Sequence, residues 1–170
     1  MGRGRDIVEV VLMPGEFFVG GAGYRPSTLL GSCVSITLWH RVKRIGAMSH
    51  FLLATRGCAE EGLDGRYGDE AIFLMLKELV RHGVAPPECE AKIFGGASMQ
   101  AGGLNDSLQV GQKNGNIAKQ VLRQLGIPVI SESLFGQGHR NIIFDIASGY
   151  VWARQIKLMP AAASPARSAA

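Results

Sequence analysis

The sequence predicts a single domain of the α+β class, in which mixed β-sheets form a sandwich-like core and two main helices pack outside it. Three observations lead to this prediction. The 170 residues are enough for one domain with its own hydrophobic core. Several short segments alternate polar and apolar residues as strands do, and two longer segments repeat apolar residues at helical spacing.

Seven segments are predicted to be strands, because they are short, rich in β-branched residues and bounded by turn residues. They are residues 7–13, 33–39, 45–53, 91–94, 129–132, 141–147 and 150–158. In the second of these strands, apolar residues alternate with polar ones that share a face with Cys33. Residues 20–26 contain three glycines and Pro26, and we expect a loop there that leads to Ser27 and Thr28.

Two helices are predicted from the spacing of apolar residues. The first follows Asp69, which is placed as its N-cap, and Gly83 ends it. Its apolar positions are Ile72, Phe73, Met75, Leu76, Leu79 and Val80, and the stripe of Phe73, Met75, Leu76 and Leu79 is taken as core packing. The second helix spans residues 112–125 and ends before Pro128. The domain is expected to cover residues 1–158, and residues 159–170 are too poor in large apolar groups to pack and are expected to be a disordered tail.

Composition argues against several classes of protein. Much of the excess of basic residues lies near the chain ends, so no nucleic-acid partner is expected. Apolar stretches are interrupted well before the roughly 20 residues that span a bilayer, and no signal peptide is recognisable, which predicts a cytoplasmic protein without membrane insertion. Cys33, Cys58 and Cys89 form no CxxC pair, so we expect neither a disulfide framework nor a zinc site, and no cofactor.

The second and third predicted strands bring a cysteine and a histidine together. If they form a hairpin centred between Arg41 and Val42, Cys33 lies directly opposite His50, with β-carbons about 4.5–5.5 Å apart. A slip of one residue would place the two side chains on opposite faces of the sheet. A histidine next to a cysteine is the commonest means of generating a nucleophilic thiolate.

Residues before Cys33 can complete such a site. Backbone amides around Cys33 are candidates to stabilise an oxyanion. A hydroxyl from Thr28 or Ser27 is a candidate to orient the ring of His50, and the sequence leaves open which of the two does so. Taken alone, Cys33 would more often be an inert buried thiol and His50 a core histidine.

The remaining candidates have ordinary explanations. Cys58 and Cys89 have no histidine close in sequence. His82 suits the C-terminus of the first helix, and His40 and His139 are expected to be solvated turn residues. The glycine pair at residues 95–96 is more often a turn than an anion-binding nest.

Several motifs in order along the chain resemble the chemoreceptor glutamine deamidase family known as CheD. They are TLLGSCVSITLW from Thr28, GAMSHFLL from Gly46, RYGDEAIFLMLKEL from Arg66, AKIFGGASM from Ala91, and GQKN and LGIPV around Gly111 and Gly126. Together they cover nearly the whole chain. The chain departs from the family pattern at residues 135–140, FGQGHR, where relatives carry a glycine pair and a GRK-like turn, and this concerns regulation or substrate docking rather than the chemistry.

The resemblance implies an enzyme that deamidates glutamines on the cytoplasmic helical bundles of methyl-accepting chemotaxis receptors, giving glutamate and ammonia and setting receptor adaptation. By matching positions, it implies that Cys33 is the nucleophile of a thioester mechanism, that His50 is the acid and base, and that Thr28 is the supporting threonine. It also implies a CheC-type phosphatase as a second partner.

Two other functions remain compatible with the same residues. A Cys33–His50 pair would also suit other reactions through a thioester, including hydrolysis of receptor glutamyl methyl esters. A noncatalytic adaptor that docks on receptors or on a CheC-type phosphatase is the alternative from another class. Loss of ammonia release on replacing Cys33 or His50 would separate the enzyme from the adaptor.

Overall fold

The computed structural model describes residues 6–58, 61–99 and 106–157. Within these ranges it contains nine strands, two α-helices and a 3-10 turn at Pro86–Glu88. The strands are β1 (Val8–Val11), β2 (Phe17–Gly21), β3 (Tyr24–Leu30), β4 (Val34–His40), β5 (Ile45–Ser49), β6 (Glu90–Gly95), β7 (Val129–Leu134), β8 (His139–Phe144) and β9 (Val151–Ile156). The helices are α1 (Gly68–Arg81) and α2 (Asp106–Gln124). The predicted tail at residues 159–170 lies outside the described residues.

The strands form two mixed sheets that pack face to face, which confirms the predicted α+β class. The four-stranded sheet has the order β1-β3-β8-β9, and the five-stranded sheet has the order β2-β5-β4-β6-β7. Each contains one parallel pair, β1 with β3 and β6 with β7, and is otherwise antiparallel. Between the sheets lies a buried cluster that includes Leu30, Met48, Phe94, Ile142 and Phe144.

Both helices cover the other face of the five-stranded sheet. The alternation of β4 divides its side chains between these two layers, with Val34, Ile36 and Leu38 in the cluster under the helices. Cys33 and Trp39 pack against the cluster between the sheets. The alternation of side chains along β4 therefore turns Cys33 towards the layer between the two sheets, on the face opposite to Val34, Ile36 and Leu38. None of the described helices is long and apolar enough to cross a membrane.

The predicted loop at residues 20–26 is wrong, because β2 and β3 occupy most of it. A β-carbon on Gly20 would lie 2.6 Å from the Phe18 ring and 3.2 Å from the Tyr24 ring. These two rings pack against each other with centroids 5.1 Å apart. Gly20 is therefore a strand residue on which the rings of Phe18 and Tyr24 pack. A glycine within a strand indicates a close approach of neighbouring groups rather than a loop.

The hairpin of β4 and β5 is confirmed, but its register differs from the predicted one. The pairing of Thr37 with Met48 centres the turn between Val42 and Lys43, one residue later than expected. The turn occupies residues 41–44, where Arg44 takes a φ of 50° and its N–H donates to the carbonyl of His40 at 2.9 Å. When the centre of a hairpin moves by one residue, each residue of β4 pairs with a residue of β5 two positions further along. A shift of two positions leaves every side chain on the same face of the sheet.

Three local predictions are corrected. Tyr67, and not Asp69, is the N-cap of α1, and Asp69 lies in the first turn, where its carboxylate suits the helix dipole. His40 is buried at the end of β4 and accepts a hydrogen bond from the N–H of Lys43, so it is not solvated. His139 begins β8 rather than occupying a turn.

The apolar stripe of α1 is divided between core and surface. Ile72, Met75 and Leu79 are fully buried, whereas Phe73 is 47% exposed. Successive residues on a helix are turned by about 100°, so Phe73 lies on the side of Ile72 away from Met75 and Leu79 and points away from the sheet. Phe73 therefore lies outside the core that the sequence pattern assigned to it.

Replacing Leu79 with alanine should lower the free energy of unfolding by about 2–5 kcal/mol, because the side chain is fully buried against the sheet. Replacing Phe73 with alanine should lower it by about 1 kcal/mol or less, because much of that ring faces solvent. Urea denaturation followed by circular dichroism measures the difference. Equal losses in the two variants would contradict this orientation of α1.

Candidate active site

Thr28 and His50 meet in the layer between the two sheets. Thr28 belongs to β3 of the four-stranded sheet, and His50 directly follows β5 of the five-stranded sheet. The two side chains are each 3% exposed, and Thr28 Oγ1 lies 2.7 Å from His50 Nδ1. A buried hydrogen bond between side chains therefore joins the sheets at this point.

The hydrogen bonds of Thr28 determine which nitrogen of His50 carries the proton. The Thr28 hydroxyl donates its single proton to the carbonyl of Leu12 at 2.7 Å. Its oxygen can then only accept from His50, so Nδ1 carries the hydrogen and Nε2 keeps a free lone pair. Leu12 O also lies 3.4 Å from Nδ1. The free lone pair of Nε2 makes the ring a competent proton acceptor.

Of the two hydroxyls that the sequence left open, Thr28 is the one that contacts His50. Ser27 and Thr28 are neighbours on β3, so their side chains point to opposite faces of the four-stranded sheet. The described contact of Ser27 with this region is made by its backbone carbonyl, which accepts from the N–H of Leu12 at 2.8 Å.

Two backbone hydrogen bonds from the segment before β2 hold His50, on the side away from β4. Its N–H donates to the carbonyl of Glu16 at 3.0 Å, and its carbonyl accepts from the N–H of Gly15 at 2.7 Å. Burial lowers the pKa of His50, and the Leu12 carbonyl and the charge of Glu16 offset part of that shift. The imidazole is therefore neutral at neutral pH.

Cys33 and His50 lie on the same face of adjacent strands, but not directly opposite each other. The bridge closest to them pairs Val34 with Phe51, through two backbone hydrogen bonds of 3.1 and 3.0 Å. In this register Cys33 is diagonal to His50, at a β-carbon separation of roughly 7 Å, which a long or aromatic side chain spans. The prediction that Cys33 and His50 lie directly opposite each other is wrong, because the register differs by two residues. The prediction that their side chains share a face is confirmed.

The backbone of Cys33 is held by Gly95 and Gly96, the glycine pair at the end of β6. The carbonyl of Cys33 accepts from the N–H of Gly96 at 2.9 Å, and the carbonyl of Gly31 accepts from the N–H of Ala97 at 3.0 Å. Gly95 has a φ of 110°, and a β-carbon there would lie 2.2 Å from the carbonyl oxygen of Cys33. Only glycine fits. The sequence predicted a turn for this pair, and its place at the end of a predicted strand was the signal that could have indicated a close backbone approach.

Burial also raises the pKa of the Cys33 thiol, and a hydrogen bond with its own backbone amide offsets part of that shift. Cys33 thiol and His50 imidazole are therefore both neutral in the resting protein. A thiol in this state must lose its proton before it can act as a nucleophile.

The other two thiols lie in different surroundings. Cys89 is buried in the cluster under the helices, and burial raises its pKa to about 11. Cys58 is exposed. Within the described ranges, no three side chains of the metal-binding types lie close enough to hold a metal ion.

Residues 135–140, which depart from the family pattern, lie next to the glycine turn at residues 95–96 that holds Cys33. Phe135 has a φ of 67°, and its N–H donates to the carbonyl of Gly95 at 2.8 Å. Arg140 is buried, and its guanidinium donates to the carbonyls of Phe135 and Gly95. Residues 135–140 therefore support the turn that holds Cys33.

The nitrogen chemical shifts of the His50 ring should show a protonated Nδ1 and an unprotonated Nε2 above the pKa of His50. Thr28→Val keeps the shape of the side chain but removes the oxygen that accepts from Nδ1. We expect that variant to lose the tautomer preference and about 1–3 kcal/mol of stability, because a buried donor loses its acceptor. Thr28→Ser should keep both. A proton on Nε2 in the unaltered protein would contradict the assignment.

The rate at which iodoacetamide alkylates Cys33 should rise with pH through a pKa above the ordinary value for a thiol. The reason is that only the thiolate reacts and that burial disfavours it. Peptide mass analysis separates Cys33 from Cys58 and Cys89. Rapid alkylation of Cys33 below neutral pH would indicate a thiolate–imidazolium pair and would contradict the neutral pair.

Comparison with known proteins was consistent across the chain. The family model described as CheD chemotactic sensory transduction matches residues 52–155. A relative from Albidiferax ferrireducens, named a probable chemoreceptor glutamine deamidase CheD 2, is 55% identical over 92% of this chain and 92% of its own length. Relatives named in the same way from Dechloromonas aromatica and Pyrococcus horikoshii are 45% and 38% identical, over 86% and 87% of this chain and 87% and 93% of their own lengths.

The family model begins after Thr28, Cys33 and His50, so its match does not depend on them. The match to the Albidiferax protein covers 92% of the chain and includes all three positions, since none of them lies near an end. The matched length and the identity are both well beyond what chance similarity gives. The chain belongs to the CheD family.

Proposed function

We propose that this protein is a cytoplasmic glutamine deamidase that converts glutamines of chemoreceptors into glutamates. The observation that carries the proposal is the Thr28–His50 hydrogen bond, which leaves Nε2 of His50 free on the face of the sheet that carries Cys33. The relatives that share most of the chain are named as probable chemoreceptor glutamine deamidases, which supports the choice of substrate.

The reaction begins with a neutral thiol and a neutral imidazole. Nε2 of His50 takes the proton of the Cys33 thiol while the sulfur attacks the δ-carbon of a receptor glutamine. The C–S bond forms, and the carbonyl oxygen becomes an oxyanion. The N–H of Val34 is committed to the carbonyl of Phe51 at 3.1 Å, so oxyanion donors must come from other amides around Cys33.

Collapse of the tetrahedral intermediate breaks the C–N bond. His50 returns its proton to the leaving nitrogen, which departs as ammonia and leaves a thioester on Cys33. Neutral His50 then takes a proton from water, whose oxygen attacks the thioester carbon. The C–S bond breaks, the thiol is regenerated by that proton, and glutamate is released.

Thr28 supports the charged form of His50 that exists only during the reaction. Its oxygen accepts from Nδ1–H at 2.7 Å, and the Leu12 carbonyl lies 3.4 Å from the same nitrogen. These two oxygens stabilise a positive charge on a ring that burial otherwise keeps neutral. Thr28 also prevents the ring from turning, since its hydroxyl is committed to Leu12.

The product explains why such a reaction would matter to chemotaxis. Glutamate carries a charge and can be methylated, whereas glutamine does neither, so deamidation changes the adaptation setting of the receptor. We propose the cytoplasmic helical bundle of methyl-accepting receptors as the substrate and a CheC-type phosphatase as a second partner. The domain that does this is proposed to span residues 1–158.

Hydrolysis of receptor glutamyl methyl esters is the second activity that the same pair supports, because an ester gives the same thioester with methanol as the leaving group. A purely binding role on receptors or on a CheC-type phosphatase is the alternative without catalysis. Both are distinguished from deamidation by the identity of the released molecule.

Cys33→Ala should abolish ammonia release from purified receptor cytoplasmic fragments, because no thioester can form. His50→Ala should lower the rate by about 10²–10⁴-fold, the usual contribution of a general acid and base. Ammonia is measured enzymatically, and peptide mass identifies each glutamine that has become glutamate.

Cys58→Ala is the matched control, since it removes an exposed thiol of the same chain and should leave the rate unchanged. Binding of the receptor fragment by each variant is measured in parallel. Unchanged ammonia release from the Cys33 variant would refute the mechanism. Release of methanol from esterified fragments without release of ammonia would favour the esterase.

A further inference from the structure

Asn114 of α2 connects the two chain segments that carry Cys33 and His50. Its side chain is fully buried. Its amide nitrogen Nδ2 donates to the carbonyl of Ser32 at 3.1 Å and to the carbonyl of Leu52 at 2.7 Å. Both hydrogens of the amide group are thereby used, each on a different segment.

This bridge lies where the backbone pairing between the two segments is irregular. The N–H of Ile36 donates to the Ser49 hydroxyl at 3.2 Å instead of to a backbone carbonyl. Pairing resumes for a single step at Val34 and Phe51 and then stops. Beyond that step, Ser32 and Leu52 are held together by the amide of Asn114 and not by the ladder.

The helix cannot move away from these carbonyls without loss of close packing. A β-carbon on Gly111 would lie 2.4 Å from the carbonyl oxygen of Gly96, and one on Gly115 would lie 2.7 Å from the ring of Phe135. Gly111, Asn114 and Gly115 lie on one face of α2, because residues three and four apart on a helix are neighbours. That face rests on the glycine turn that holds Cys33.

One feature of Asn114 argues against a purely stabilising role. Its oxygen Oδ1 is buried and has no hydrogen-bond partner. Burying an unpaired amide oxygen costs free energy, and an apolar residue of similar size would avoid that cost. The presence of an amide at this position is therefore better explained by the two hydrogen bonds that its nitrogen donates.

We propose that Asn114 is a positioning residue, which fixes the separation of Cys33 and His50 by bridging the carbonyls of Ser32 and Leu52. Ser32 immediately precedes Cys33, and Leu52 lies two residues after His50, so a change in either carbonyl displaces a reacting side chain. The consequence for turnover rests on the proposed deamidase function. Misplacement of reacting groups by about 1 Å can lower a rate by about 10²-fold.

The test compares Asn114→Leu with Asn116→Leu, its exposed counterpart on the same helix. Asn114→Leu keeps a similar volume but removes both hydrogen bonds, and we expect kcat for receptor fragments to fall by about 10²-fold with KM nearly unchanged. Asn116→Leu should change neither. The folded fraction of each variant is measured by circular dichroism, and rates are expressed per folded molecule.

A second measurement does not depend on the substrate. In the unaltered protein, His50→Ala should change the rate of Cys33 alkylation, because the two groups exchange a proton. In the Asn114→Leu background the same replacement should change the rate much less, which a double-mutant cycle reveals. If the two effects simply multiply, or if kcat per folded molecule stays unchanged, Asn114 is not a positioning residue.

These outcomes separate the two proposals. Absence of ammonia release from every form of the protein would refute the deamidase, while the alkylation cycle would still decide the role of Asn114. Asn114→Asp adds a further check, because burial favours the protonated carboxyl, which has the same shape but one hydrogen to donate instead of two. A kcat close to that of the unaltered protein in this variant would overturn the proposal.

Discussion

The site depends on one hydrogen bond between the sheets, from Nδ1 of His50 to the Thr28 oxygen. It selects the tautomer of the ring, limits its rotation and leaves Nε2 available towards the face of Cys33. It is possible because the Thr28 hydroxyl has already given its proton to the carbonyl of Leu12. The Leu12 carbonyl, the Thr28 hydroxyl and the His50 ring thus form a chain of hydrogen bonds. This chain leaves Nε2 of His50 as the ring nitrogen that can accept a proton.

The rest of the fold positions Cys33, the second member of the proposed Cys33–His50 pair. Cys33 lies where β3 ends and β4 begins, a place where the chain changes sheets and has few ladder bonds of its own. The glycine turn after β6 holds its carbonyl, and α2 rests on that turn through Gly111. The packing of α2 is thus transmitted to Cys33 through backbone contacts.

Burial has the same effect on both members of the pair. It raises the pKa of the Cys33 thiol and lowers the pKa of the His50 imidazole, so both shifts favour the neutral forms. Both groups are therefore uncharged until a proton leaves the thiol. A cysteine kept as a thiol is also less readily oxidised or alkylated by small molecules, because those reactions need the thiolate.

The sequence by itself determined the class of fold, most of the strands and helices, and the shared face of Cys33 and His50, because these follow from periodicity within one segment or one hairpin. It did not determine the hairpin register, which depended on a left-handed Arg44, nor that residues around Gly20 form strands under two aromatic rings. Only the tertiary structure showed that Thr28, which the family resemblance had indicated, contacts His50, and brought Gly95 to Cys33 and Asn114 to Ser32. Those contacts join segments far apart in the chain, and no local pattern records which distant residue will pack there.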